Sequence, residues 1–523
     1  MKRSVFIVEI LILIAILCSR AIFAAGEFDT SFNGTGRVRV QAGAAYDQVE
    51  RIATQIDGKI VIAGYSNNPA GNEDFAVIRL NADGTLDTSF NGTGKILKAI
   101  GPGTDYATGL AIQPDGKIVV SGAAFNGDDD DIALIRLNPD GSLDGSFGGG
   151  GIVTTSIRGQ DRGSALALQY DGKIVVAGYV YSPKWSGMVL VRYNADGSLD
   201  TGFGNGGIVE DHGGGAWDFG ARDVKVQPDG KIVVAGEGYR DNVILVVFGA
   251  ARFLPDGTPD AAFGSGGKVF SQVRGGVSRA FSLALGEDGG IFLGGSSSDG
   301  KGEFSDYTAA RYRADGSLDP AFGAGGVAVT HLGDWINTGR AVSIQPDGRI
   351  LLAGTRFENF IAYQNFGIVR YGSDGTIDGA FGANGLVNVD WDSGFDNATA
   401  MDIQPDGKIL VAGTAANNRQ VQTVAMVRLL GDSPLPPAAG VSGRIVNSHD
   451  FGIGGAKVTI ANLQTGQVRT LSTSPFGYFT FDQLPTNNYY QVKVSSKGRR
   501  FNTPRTFRLL GNINGLSIPS DLD

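Results

Sequence analysis

A unit of about 58 residues recurs seven times in this chain, and no other feature restricts its fold as much. An Asp-Gly turn leading into an apolar run appears at Asp57, Asp115, Asp171, Asp229, Asp288, Asp347 and Asp406, at spacings of 56 to 59 residues. A second marker, the phenylalanine of an S-F-x-G-x-G type segment, recurs independently at Phe32, Phe90, Phe147, Phe203, Phe263, Phe322 and Phe381. Units this short bury a core only by stacking on copies of themselves, so the repeat has to be read before any local pattern.

Each unit reads as four strands, a to d, as in A-T-G-L-A-I-Q-P-D-G, K-I-V-V-S-G, D-I-A-L-I-R-L-N-P-D-G and G-G-I-V-T-T. Strands b and c are nearly continuous apolar runs, the pattern of a sheet covered on both faces. The Asp-Gly step between a and b suits a tight hairpin, because glycine takes the positive φ such a turn needs. The phase of the ends is informative. The first repeated strand, 36–40, is a d strand, whereas the last, 424–429, is a c strand. In a closed ring the N-terminal strand would complete the last blade as its outer edge, and radial closure is a known way to protect sheet edges. An open solenoid would need no such phase shift. The expected fold is therefore all-β, a seven-bladed β-propeller of four-stranded blades over residues 25–431.

Composition agrees. The chain has 523 residues, enough for a propeller and a smaller domain, and its 81 glycines follow no collagen-like period. Lys2 and Arg3, an apolar stretch from Val5 to Leu17, and Ala24 and Ala25 read as a signal peptide over residues 1–24. Glu9 interrupts that stretch, which is short for a membrane span, and a retained anchor is the alternative. Cys18, the single cysteine, follows Leu17, unlike a lipoprotein site with its small residue before cysteine. A cleaved chain would hold neither disulfide nor thiol nucleophile. The formal net charge of −9 argues against a nucleic-acid partner, and no stable membrane insertion of the mature chain is expected.

Segments such as Q-P-D-G-K-I-V-V-A-G and R-Y-N-A-D-G-S-L-D-T-G-F-G resemble the delta-60 repeat family of bacterial propeller-like proteins, over roughly residues 27–430. The resemblance implies the architecture and a bacterial setting; it implies no reaction.

Every unit carries an arginine late in strand c: Arg79, Arg136, Arg192, Arg252, Arg311, Arg370 and Arg428. An aspartate follows most of them, at Asp87, Asp144, Asp200, Asp260, Asp319 and Asp378, with Asp29 ahead of the first unit. One reading is a ring of ligand sites, since Asn81, Asp83 and Asp87 faintly resemble a calcium loop. The other is a structural Arg-Asp pair in each blade, Arg428 finding Asp29 on closure. The bidentate Glu of a calcium loop is missing, which favours the pairs. The acidic run Asp128 to Asp131 is either a cation site or a solvated loop.

The a–b and c–d turns repeat almost unchanged on one face of the disc, while the b–c and d–a loops on the other differ in length and chemistry. Binding residues tend to sit on variable loops of a rigid scaffold, which nominates the second face. All four tryptophans fall there: Trp185 in a b–c loop, and Trp217, Trp335 and Trp391 in d–a loops. Several have an acidic neighbour, as in Trp217-Asp218, Asp334-Trp335 and Trp391-Asp392, and Asp105-Tyr106 is similar. An aromatic plate beside a carboxylate can stack on a sugar or hold a cation. These nine residues form the expected ligand site; the alternative is that the aromatics cap the apolar blade ends. His212, His331 and His449 are too scattered for a zinc site, and neither G-x-S-x-G nor a P-loop occurs. No catalytic residue, metal or cofactor is expected.

After D-S-P-L-P-P-A-A-G, a proline-rich linker taken as 432–440, short alternating strands separated by turns indicate a small β-sandwich over 441–523. G-R-I-V-N, G-G-A-K-V-T-I and S-P-F-G-Y-F-T-F-D-Q-L-P resemble the carboxypeptidase regulatory-like domain, which implies an interaction or spacer module without peptidase activity. A basic cluster, Lys497, Arg499, Arg500, Arg505 and Arg508, reads as a solvated strand edge or a contact for an acidic surface. The whole reads as an exported, non-enzymatic binding or scaffolding protein, secreted or on the bacterial cell surface, with an unknown extracellular partner. A glycan is the candidate ligand. The alternatives are a purely structural surface protein and, behind it, a propeller glycosidase or lyase.

Overall fold

The apolar runs become the buried middle of seven four-stranded antiparallel sheets. The first blade is Asp47–Thr54, Ile60–Asn67, Glu73–Leu80 and Lys95–Lys98, paired in that order. The computed structural model describes residues 25–520 apart from 45, 183–184, 212–217, 241–244, 302–303, 334, 359–362, 392–393, 417–420, 433–437, 448–450, 464–465, 487, 502–503 and 510–512. The expected signal segment 1–24 lies outside the described residues. Among these residues no helix is long and apolar enough to cross a membrane.

The ring closes as the phase shift requires. Arg37–Val40 pairs antiparallel with Gln422–Leu429, placing Val38 opposite Met426 and Val40 opposite Val424. The last blade is thus built from both ends of the propeller. The core at this seam is as continuous as between other blades: Val49, Ile60 and Ile62 meet Leu410, Ala412, Val424 and Met426, with Val38 among them.

The repeated charges are structural pairs. Arg79, Arg136, Arg192 and Arg252 lie 2.6–2.8 Å from Asp87, Asp144, Asp200 and Asp260, and Arg428 lies 2.7 Å from Asp29 across the seam. Each guanidinium also donates to a turn carbonyl of the following blade, as Arg252 does to Ala314 and Arg428 to Ala82, both at 2.5 Å. The phenylalanine marker has the same origin: these rings lie under the guanidinium groups, Phe203 at 4.2 Å and Phe32 at 4.5 Å. Asp83, placed in the calcium-like pattern, instead accepts hydrogen bonds from Thr85. The last blade lacks an outward c–d turn, because its d strand comes from the N-terminus. Asp432 fills the gap, binding fully buried Arg370 through both carboxylate oxygens at 2.9 and 3.0 Å.

The second domain is a sandwich of two sheets. One orders Tyr478–Pro485, Ala438–Val446 and Ile513–Pro519; the other orders Val468–Ser472, Lys457–Asn462, Asn488–Ser495 and Arg505–Leu509. Val441, Val458, Phe481, Val492 and Leu516 belong to the core between them. Its first strand begins at Ala438, ahead of the expected limit at Val441, and Asp432 belongs to the propeller rather than to a spacer. The sandwich rests on the monotonous face at Tyr170. The Thr506 N–H donates to the Tyr170 carbonyl at 2.7 Å, and Phe507 meets the Tyr170 ring edge-on at 6.0 Å. The same turn position holds proline at Pro114, Pro228, Pro346 and Pro405.

Candidate functional site

All seven innermost strands break register at one place. The skipped residue is Glu50, Thr108, Ser164, Arg222, Phe281, Arg340 or Thr399. A bulge leaves one residue unpaired and re-aims it, here toward the propeller axis. The bulge draws the strand a backbone against strand b, and the repeated glycine of the K-I-V-V-A-G segments makes room for it. A methyl group on Gly122 would stand 1.8 Å from the Tyr106 carbonyl oxygen, and one on Gly236 would stand 1.9 Å from that of Gly220.

Two of these positions are arginines, Arg222 and Arg340, and two more arginines, Arg51 and Arg279, flank the bulges of their own strands. Arg51 reaches from the first blade toward the third and fourth, donating to the carbonyls of Ser164 at 3.5 Å and Arg222 at 3.3 Å. The Arg222 and Arg279 side chains lie 3.4 and 3.8 Å from the Glu237 carboxylate. Water reaches 42% of the Arg222 side chain and 48% of Arg279, whereas Glu237 lies beneath them at 2%. Arg340 stacks on Phe281 with its guanidinium 4.4 Å from the ring. Among the described residues nothing hydrogen-bonds that guanidinium.

Enclosure by the blades dominates the electrostatics. Desolvation by the surrounding blades pushes the Arg340 pKa down although the residue still meets water, with Arg222 and Arg279 adding to the shift and Glu50 and Glu237 opposing it. Burial also raises the Glu50 carboxyl despite Arg51 and Arg340 nearby. The Tyr239 phenol is pushed up to about 12 by burial and by the Glu237 carboxylate to which it donates.

Tyrosines form the wall of the mouth on the variable side. Tyr46 and Tyr65 of the first blade lie 6.5 Å apart, and Tyr65 meets Tyr106 of the second edge-on at 5.0 Å. Arg162 lies 5.4 Å over the Tyr106 ring while donating to Asp130 at 2.5 Å. Burial raises the phenols of Tyr46, Tyr65 and Tyr106, so they stay neutral donors at ordinary pH.

Against this geometry the expected ligand residues separate. Tyr106 belongs to the wall. Asp105 does not: it is fully buried and accepts from the backbone N–H groups of Ile100, Gly101 and Phe125 at 2.7–3.3 Å. Its carboxyl is raised by burial, which outweighs those bonds. Asp47, Asp161, Ser278, Asn337 and Asp396 are equally buried at that register, so the acid beside the aromatic is a repeated loop tie. Trp391 is also no surface plate. It is 5% exposed, packed on Phe366 at 5.9 Å with Arg39 5.3 Å above its ring, and caps the blade end. Trp335 is half-buried, edge-on to exposed Phe304 at 6.1 Å. Asp218 is partly buried at the start of its a strand opposite Tyr239, and Trp185 begins the c strand Trp185–Tyr193. Trp217, Asp334 and Asp392 lie outside the described residues. The axial arginines lie on the inner strands rather than in the variable loops that the sequence nominates. The signal for Arg222 and Arg340 is the position five residues before the repeated Gln, which varies between Glu50, Thr108, Ser164, Arg222, Arg340 and Thr399; no repeated marker singles out Arg51 or Arg279.

A family model described as a domain of unknown function (DUF5122) beta-propeller matches seven times, at residues 55–90, 113–147, 169–203, 227–263, 287–322, 345–381 and 404–433. The carboxypeptidase regulatory-like domain matches residues 440–512. No curated protein matches the chain in sequence. Among solved structures, a PL25 ulvan lyase is similar at 11% identity and a TM-score of 0.45, over 76% of this chain and 97% of that one. Sqt1 from Chaetomium thermophilum is similar at 12% identity and a TM-score of 0.39, over 86% and 100%. The chain belongs to the DUF5122 β-propeller family, with a carboxypeptidase regulatory-like domain following the ring.

Proposed function

We propose that this is an exported binding protein of the bacterial cell surface that acts without catalysis, holding a glycan at the axial mouth of its variable face. The observation that carries the reading is the convergence of Tyr46, Tyr65 and Tyr106, whose rings stand 5.0–6.5 Å apart beside the axis. Neutral phenols beside a water-accessible opening suit a sugar, whose apolar face stacks while its hydroxyls exchange hydrogen bonds. Exposed Phe304, Tyr363 and Phe395 on the same side add to this support. Burial of Trp391 and Asp105 favours the competing reading, a purely structural surface protein. A glycan array probed with residues 25–523 separates the two. Binding that falls at least about tenfold in Tyr65→Ala and Tyr106→Ala is expected, the size of one lost stacking partner. An empty array, or binding indifferent to both substitutions, removes the proposal.

A further inference from the structure

We infer that the axial cup below the tyrosine wall is an anion site, and that the sugar it takes carries a carboxylate or a sulfate ester. The inference rests on the glycan reading above and adds its chemical class. Four arginines, Arg51, Arg222, Arg279 and Arg340, share two carboxylates, Glu50 and Glu237. Arg51 is already engaged by the carbonyl of Glu50 beside it and by those of Ser164 and Arg222 across the axis. Arg222 and Arg279 divide the single carboxylate of Glu237, at 3.4 and 3.8 Å. Arg340 has a ring beneath it and no hydrogen-bonded acceptor among the described residues.

A guanidinium offers five donors in a flat fork, matched in shape to carboxylates and to tetrahedral oxyanions. Holding three such forks together with one buried acid between two of them is unfavourable in the empty protein, since like charges in an enclosed site repel. An entering anion would relieve that repulsion and take the open donors of Arg340 and Arg279. The ring of outer arginines shows that this chain pairs a structural arginine with its own aspartate, as in Arg136 with Asp144 at 2.6 Å. The axial set departs from that rule, with Arg222 and Arg279 sharing one carboxylate. A polyphosphate backbone fits less well: the protein is acidic overall, at −9, and its cationic groups are gathered in one cup rather than along a groove.

The test is titration calorimetry on residues 25–523 with polygalacturonate, dextran sulfate, neutral dextran, inorganic sulfate and a single-stranded oligonucleotide. Acidic glycans should bind, more weakly as salt rises, and Arg340→Gln and Arg222→Gln should each weaken them at least about tenfold, as expected for a lost charge-assisted hydrogen bond. Polygalacturonate against dextran sulfate distinguishes a carboxylate from a sulfate ligand. Inorganic sulfate should bind weakly and lose its binding in the same variants. If Arg222→Gln does not fold, Arg340→Gln alone, checked by its melting curve, carries the test. Glycan binding that depends on Tyr65 but ignores charge and both arginines overturns this inference and leaves the glycan reading standing. Arginine-dependent sulfate binding with no glycan bound overturns the glycan reading and keeps the anion cup. Tighter binding of the oligonucleotide than of either acidic glycan overturns the inference.

Discussion

Two sets of arginines stand in this propeller, and they obey opposite rules. The outer seven sit at the ends of the c strands, on the monotonous face, and Arg79, Arg136, Arg192, Arg252 and Arg428 are each buried against an aspartate, a phenylalanine and the next blade. The axial four sit at or beside the bulges of four a strands, reached by water and short of carboxylates. A buried charge with full partners holds a structure together, and removing one partner leaves the other stranded. A charge cluster left incomplete contributes no such stability. The contrast teaches which arginines build the ring and which are available for something else.

The comparison breaks most completely if the seam is opened. Deleting residues 25–40 removes Asp29, Phe32 and the strand Arg37–Val40, stranding Arg428 and uncovering Met426. A loss on the order of 5 kcal/mol or more is expected, from one broken buried ion pair plus lost core. Urea denaturation reads it, and an unchanged midpoint would mean that the ring does not depend on its clasp. Next in size is Arg136→Ala, with an expected cost of about 3–5 kcal/mol. Arg340→Gln should in contrast stay within about 1 kcal/mol of the parent, with the midpoint equal or higher. Equal losses in the two variants would erase the distinction between the sets.

Acid sharpens the same comparison. Burial alone would raise the Asp87 carboxyl, but hydrogen bonds from Ser89, Lys59 and Arg79 overcome it and hold the group well below the usual carboxylate range. Lys117, Ser146 and Arg136 do the same for Asp144. A carboxyl whose folded pKa lies below its unfolded value stabilises the fold above that unfolded value and loses this contribution as pH falls. Melting temperatures should therefore drop below about pH 4, and less steeply in Arg136→Ala, where part of the shift is gone. A curve of unchanged slope in that variant would mean that Arg136 does not depress Asp144. The smallest effect is expected from Tyr170→Pro, which restores the residue used in four other blades and removes only the contact to Phe507. The propeller transition should stay put while small-angle scattering reports a wider particle. An unaltered scattering profile would show that Tyr170 does not hold the sandwich.

Much of this architecture could be read from the amino acids. The count of blades, the seam between the 36–40 strand and Val424–Leu429, and the pairing of Arg428 with Asp29 all follow from markers that repeat in fixed phase. The site was legible only in part. The variable face and Tyr106 are legible in the loops, but Asp105 and Trp391, expected in the ligand site, are buried, and Trp391 follows the alternative of a blade-end cap. An aspartate beside an aromatic looks alike in sequence whether it faces water or closes a loop. What separates the cases is the sheet behind it, where the Phe125 N–H meets Asp105.

By itself, then, the sequence determined what recurs: strand order, ring closure, and the Arg-Asp-Phe unit whose members lie within one blade or at its two ends. Local periodicity carries such information because each partner keeps a constant distance along the chain. Only the tertiary structure decided what meets at the axis. Arg51, Arg222, Arg279 and Arg340 come from four different blades and share no spacing that marks them as neighbours. Their meeting is a property of the closed circle, which brings the bulged stretch of every inner strand to a common centre, with Arg222 and Arg340 at the bulge and Arg51 and Arg279 beside it.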